Sequence, residues 1–241
     1  MIIGISGPSG SGKTTIARAL RQFYASLPGT KSVRILHQDD FYKPEKDIPM
    51  KATRAGNVIN WDCSEAVEMD ALVQTLQAYR KHGKFPEDVE RDLAERSKED
   101  RNDVGDTGVS ASTISEVEAT QKAPKITDLL IVDGFMLFQS PKILESLDLA
   151  VLLRGSFKVL KDRREARSGY VTLEGFWKDP EGYFEDCVWP EYVSNHQQFF
   201  LDGDVEGHAT QRKDIYISKA IDTDLDSSFL FVMDAIRGSL H

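Results

Sequence analysis

Met1-Ile2-Ile3-Gly4-Ile5-Ser6-Gly7-Pro8-Ser9-Gly10-Ser11-Gly12-Lys13-Thr14 is the stretch that decides the fold. Residues 1–6 form a short apolar run of strand character. Gly7 to Thr14 matches G-x-x-x-x-G-K-[ST] in full. From Lys13 to Tyr24, Ile16, Leu20 and Phe23 recur at helical spacing. Strand, glycine-rich loop and helix in that order are what a phosphate cradle requires. Glycines let backbone N–H groups turn inward where side chains would collide. The helix N-terminus adds positive potential at the same place. Lys13 is expected to reach the β- and γ-phosphates of a nucleotide and the Thr14 hydroxyl to ligate Mg²⁺. Gly7, Pro8, Ser9, Gly10, Ser11, Gly12, Lys13, Thr14 and Thr15 are together the expected ATP-binding stretch. The bland alternative, a turn that binds nothing, is disfavoured by the lysine, the hydroxyl and both flanking elements. The motif selects a nucleoside triphosphate and not a reaction.

Working outward, Ser32 to His37 reads as a second strand, and Leu129 to Val132 and Leu149 to Leu153 as continuously apolar strands of a parallel sheet buried on both faces. Ile215 to Ile217 reads as a last strand. Helices are predicted over Met69 to Tyr79, capped by Asp62 or Ser64, and over Phe157 to Arg167, capped by Ser156. Others are predicted from about Glu181, with a kink or break at Pro190, and over Leu225 to Ile236. Strands alternating with helices predict an α/β fold, a parallel sheet with helices on both faces in the manner of phosphate-loop kinases. The 241 residues suit one such domain. Residues 86–125 hold 11 acidic and 6 basic residues and no aromatic. They read as an acidic insert, helical near Asp88 to Glu99 and flexible after that. Shortening Gly105 to Pro124 is expected to change activity little.

The net charge of −9 argues against nucleic-acid or anionic-membrane partners and requires local positive potential to capture a polyanion. Cys63 and Cys187 lie in no metal-like spacing and fit a reducing compartment. No apolar run approaches the ~20 residues of a membrane helix, and a strand at residues 1–6 leaves no leader peptide to expect. Asp133 ends a buried strand, where a carboxylate faces the Mg²⁺ region directly or through water. Asp39 and Asp40 end another, and one acid of the pair can accept an alcohol proton during phosphoryl transfer. Arg163 and Arg167 are four apart on the basic helix and share a face suited to a transferring phosphoryl group, while Arg164 looks elsewhere.

These stretches together resemble the nicotinamide riboside kinases, within the uridine-kinase-like group of P-loop kinases. The resemblance is carried by Gly4 to Thr14, by His37-Gln38-Asp39-Asp40-Phe41-Tyr42-Lys43-Pro44 and by Asn60-Trp61-Asp62. It continues in Ile131-Val132-Asp133-Gly134-Phe135-Met136-Leu137-Phe138, Arg163-Arg164 with Arg167 and Tyr170, Gly182-Tyr183-Phe184 and Val188-Trp189-Pro190. Asp202 to Gly207 is similar to the longer fungal members. The chain departs from the family at Asp133 and Trp61, where Glu and Tyr are common.

The resemblance implies transfer of the ATP γ-phosphoryl to the 5′-hydroxyl of nicotinamide riboside, giving nicotinamide mononucleotide for NAD synthesis. Asp39 is implied as the proton acceptor, also near the metal with Thr14 and Asp133. Asp39, Asp40, Phe41, Tyr42, Trp61, Asp62, Arg164 and Tyr170 are implied to line the riboside site, and Arg163 and Arg167 to close over ATP with Lys13. Asp39 and Asp62 are further expected to favour a cationic ring. Nicotinic acid riboside is a further expected acceptor. The alternatives are a uridine, cytidine or other small-alcohol kinase of the same fold, and a nucleotide-binding switch or scaffold. A cytoplasmic monomer or weak homodimer is expected, without distinguishing cytoplasm from nucleus.

Overall fold

The computed structural model describes residues 1–98, 105–120, 125–172 and 175–240. In chain order its main elements are β1 (Ile2–Ser6), α1 (Lys13–Ser26), β2 (Ser32–His37), β3 (Met50–Thr53), β4 (Gly56–Ile59) and α2 (Met69–His82). Then come α3 (Glu87–Arg96), α4 (Ala111–Thr120), β5 (Asp128–Gly134), α5 (Pro141–Glu145), β6 (Leu149–Leu152) and α6 (Phe157–Glu165). The last are β7 (Tyr170–Thr172), β8 (Gly175–Trp177), α7 (Trp189–His196), β9 (Tyr216–Ile217) and α8 (Leu225–Ser239). A π-helical turn, Phe184–Val188, runs into α7, which carries Pro190 in its first turn.

Five strands form one sheet in the order β2-β5-β1-β6-β9, all parallel. Alternation assigns the two faces. Leu129 and Ile131 pack with Ile3, Ile5, α1 and α8, while Leu130 and Val132 pack with Leu36, α2 and α7. Both faces are covered, so the central strands are buried throughout, and that is why they read as unbroken apolar runs. The register sets Ser6 beside Gly134 and His37 beside Asp133. The carboxyl ends of β1, β2 and β5 therefore share one rim, where ligands bind in sheets of this kind.

Three expectations are corrected. α2 starts at Met69, so neither Asp62 nor Ser64 caps it; Ser64 sits in its own short 3₁₀ turn and Asp62 is engaged elsewhere. α6 ends at Glu165, so Arg167 lies beyond the helix and does not share a helical face with Arg163. Finally, residues 111–120, expected to be flexible, form α4. Val117 is wholly buried against the α1 and α8 side of the core with Ile114 beside it. The Ser110 amide donates to Asp226 (2.8 Å), and Arg18 donates to the Asp106 carbonyl (3.3 Å). Two apolar side chains and these bonds suffice to order a segment whose composition alone is too polar. Residues 99–104 and 121–124 of the insert lie outside the described residues. Among the described residues no helix is long and apolar enough to cross a membrane.

Candidate active site

Gly10 and Gly12 both have φ of 86°, a left-handed conformation that strains any side chain. A Cβ on Gly10 would also stand 3.3 Å from the Leu160 carbonyl oxygen and 3.5 Å from Arg163 Cβ. α6 thus lies directly on the phosphate loop, and Arg163 donates from Nη1 to the Gly10 carbonyl at 3.1 Å. The α6 N-terminus is held by Ser156, whose Oγ accepts from the Val159 amide.

Beyond the loop opens a cavity of about 440 Å³. Its walls bring together Ser9, Lys13, Thr14 and Thr15 from the loop and α1 with Asp39, Asp40 and Tyr42 from the end of β2. Trp61, Asp62, Arg164, Arg167 and Tyr170, all named from the sequence, stand there too. Phe41 does not join them: it is wholly buried in the core beneath the Arg96 guanidinium, which lies 5.0 Å from its ring centre as a cation–π contact. Arg163 is also absent from the wall, because its side chain is turned back onto Gly10.

Asp133 sits at the base of the rim, buried against His37, whose Nδ1 lies 3.0 Å from Asp133 Oδ2. Burial works against its charge, but the His37 hydrogen bond and the nearby Lys13 ammonium outweigh it and hold the carboxyl below its ordinary value. Asp133 Oδ1 is buried with no hydrogen-bond partner. A buried carboxylate oxygen left open beside the loop lysine suits a divalent cation, and so few protein ligands suit Mg²⁺, whose shell phosphates and water complete.

Arg164 is the best-held side chain of the site. It donates bidentately to Asp62 (2.9 and 3.1 Å) and twice to Asp179 (2.6 and 3.2 Å). Tyr170 and Tyr183 flank its guanidinium at 5.1 and 5.5 Å. Burial disfavours its charge, yet the two carboxylates more than compensate and hold the proton more firmly than usual. Asp62 is thus neutralised by Arg164, so its expected pull on a cationic ring is largely cancelled. Arg167 donates to the Tyr170 hydroxyl at 3.2 Å.

The aromatic wall is larger than the sequence indicated. Tyr42 meets Trp61 edge-on at 5.5 Å and stacks on Phe135 at 6.0 Å; Trp61 leans on Trp177 at 6.0 Å. Burial first, then the Asp39 and Asp62 charges, raise the Tyr42 phenol well above its ordinary value. Phe135 lay inside a quoted motif without a role. Trp177 and Asp179 gave no signal, because the β7–β8 hairpin that carries the tryptophan is too short for periodicity to show. Gln38 was also missed: wholly buried, its Oε1 accepts from the Phe135 and Met136 amides at 2.9 and 3.1 Å and shapes the turn after β5.

The family described as phosphoribulokinase / uridine kinase matches residues 2–167. A nicotinamide riboside kinase of Schizosaccharomyces pombe is 34% identical over 242 residues, covering 100% of this chain and 98% of that protein. One of Saccharomyces cerevisiae is 35% identical over 230 residues, covering 93% and 89%. One of Eremothecium gossypii is 32% identical, covering 86% and 80%. A phosphate loop, a rim carboxylate and an aromatic-walled cavity agree with these likenesses, and the chain belongs to the phosphoribulokinase / uridine kinase family, among its nicotinamide riboside kinases.

Proposed function

We propose that this chain transfers the γ-phosphoryl of ATP to the 5′-hydroxyl of nicotinamide riboside, giving nicotinamide mononucleotide and ADP. The observation that carries the reading is the meeting, in one cavity, of Lys13 and Thr14 with Asp39 and with the Trp61–Tyr42–Trp177 wall. In the proposed reaction the 5′-oxygen forms a bond to Pγ while the bond from Pγ to the β,γ-bridging oxygen breaks. Asp39 takes the hydroxyl proton and ADP keeps the electron pair of the broken bond. Lys13 and the loop amides bind the phosphates, and Arg163 and Arg167 add positive charge about them. Thr14, Asp39 and Asp133 would hold Mg²⁺, which when bound neutralises charge developing on the β- and γ-oxygens.

Trp61 and Tyr42 supply ring faces for the pyridinium, and Asp62, held in place by Arg164, supplies acceptors for ribose hydroxyls. The reading takes residues 1–241 as one kinase domain bearing an insert at 86–125, working on small molecules as a cytoplasmic monomer or weak homodimer. The test is ADP release by purified protein with Mg-ATP and, in turn, nicotinamide riboside, nicotinic acid riboside, uridine and cytidine. Nicotinamide riboside is expected to lead. Brisk uridine turnover without riboside turnover would overturn the substrate assignment.

A further inference from the structure

Asp62, Arg164 and Asp179 form a buried row of two carboxylates and one guanidinium. One positive charge cannot balance two negative ones, so the row carries one surplus negative charge when both acids are ionised. The guanidinium and Asp62 are more than nine-tenths buried and Asp179 is four-fifths buried, so solvent screens the surplus poorly. Asp179 also accepts from Trp177 Nε1 at 2.8 Å, which locks the indole against the cavity beside Trp61. Of the other cations of the wall, Arg96 is paired with Glu68 and Asp92, Arg18 reaches the Asp106 carbonyl, Arg167 lies on the Tyr170 hydroxyl and Lys13 belongs to the phosphate loop, while Lys43 stands at the wall outside the row.

We propose that Asp179, which neither lines the cavity nor touches the reacting atoms, sets the preference for a positively charged ring in the acceptor. This rests on the proposed function and names its specificity determinant. Asp62 cannot do this alone, since Arg164 cancels it. Asp179 restores the negative balance behind the aromatic wall, where a cationic ring gains and a neutral ring does not.

The test compares kcat/KM for nicotinamide riboside, whose ring is cationic, with that for uridine, whose ring is neutral. It uses wild type, Asp179→Asn, Asp179→Ser and Asp179→Glu. Neutralising the residue is expected to lower the riboside-to-uridine ratio about tenfold, chiefly through the riboside KM, as removal of one poorly screened charge requires. Asp179→Glu keeps the charge and should keep the ratio. An unchanged ratio in both neutral variants, or equal losses on both acceptors, would overturn the proposal and leave Asp179 a structural role. Calorimetric binding of 1-methylnicotinamide against nicotinamide reads the same charge preference without catalysis. Wild type that binds the cation preferentially yet phosphorylates no riboside would sink the function and spare this inference; loss of that binding preference in Asp179→Asn supports it, and retention overturns it.

Discussion

Asp39 has the one proton of the proposed reaction to accept, and its place in the wall of the same cavity as Lys13 and Thr14 is what makes it a candidate base. Asp39→Asn preserves size and polarity but cannot take the proton. Single-turnover and steady-state assays should show kcat lower by roughly 10²-fold or more with ATP affinity nearly unchanged. A near-normal kcat would remove Asp39 from the chemistry. At this scale many of the residues named from sequence line one cavity, but several side chains point elsewhere than expected. Arg163 and Arg167 were both identified, but α6 ends between them, so one lies on the phosphate loop and the other on Tyr170. Phe41 was assigned to the substrate because it sits among substrate residues in sequence. The 3₁₀ turn Gln38–Phe41 turns it into the core instead.

Among the elements, α4 departs most from expectation. Its sequence is Ser-, Thr- and Glu-rich, and its apolar contacts with the core come from Ile114 and Val117, with Thr113 buried beside them. Full burial of one Val side chain is worth about 1.5–3 kcal/mol, enough to matter for a helix of ten residues that would not form alone. Val117→Ala is therefore expected to lower unfolding stability by about 1–2 kcal/mol in urea titrations. Val117→Asp should cost more, because it buries an unpaired carboxylate. No change for either would return residues 111–120 to the role of a tolerant loop. The small hairpins β3–β4 and β7–β8 were unseen for a related reason. Their strands have three or four residues each, and they rest on contact with the body, as when Arg54 in the turn of the first hairpin pairs with Asp186 of the π-helical turn.

For the whole molecule, His196 is an internal source of acid sensitivity. His196 is buried between Tyr192 and Phe199, with Nδ1 2.9 Å from the Tyr192 carbonyl. Burial pulls its pKa down from 6.5 to about 4. Above about pH 6.5 the ring is neutral in both folded and unfolded chains and stability does not vary on its account. As pH falls towards 4, the unfolded chain binds a proton that the folded chain refuses. Stability then declines by up to 1.4 kcal/mol per pH unit, on the order of 3 kcal/mol in all. His196→Gln removes this titration, so its stability should fall less steeply between pH 6.5 and 4 in denaturant titrations. An unchanged acid slope would assign the sensitivity to other groups. The sequence by itself determined the parallel α/β sheet, the phosphate loop and the carboxylates at the strand ends, because those depend on local pattern: unbroken apolar runs, a glycine spacing, and acids where a buried strand stops. Only the tertiary structure decided which charges cancel, which ring faces the cavity and which polar segment is ordered. Those outcomes depend on pairs far apart in the chain, such as Asp62 with Arg164 and Val117 with α8, and short-range pattern carries no information about such meetings.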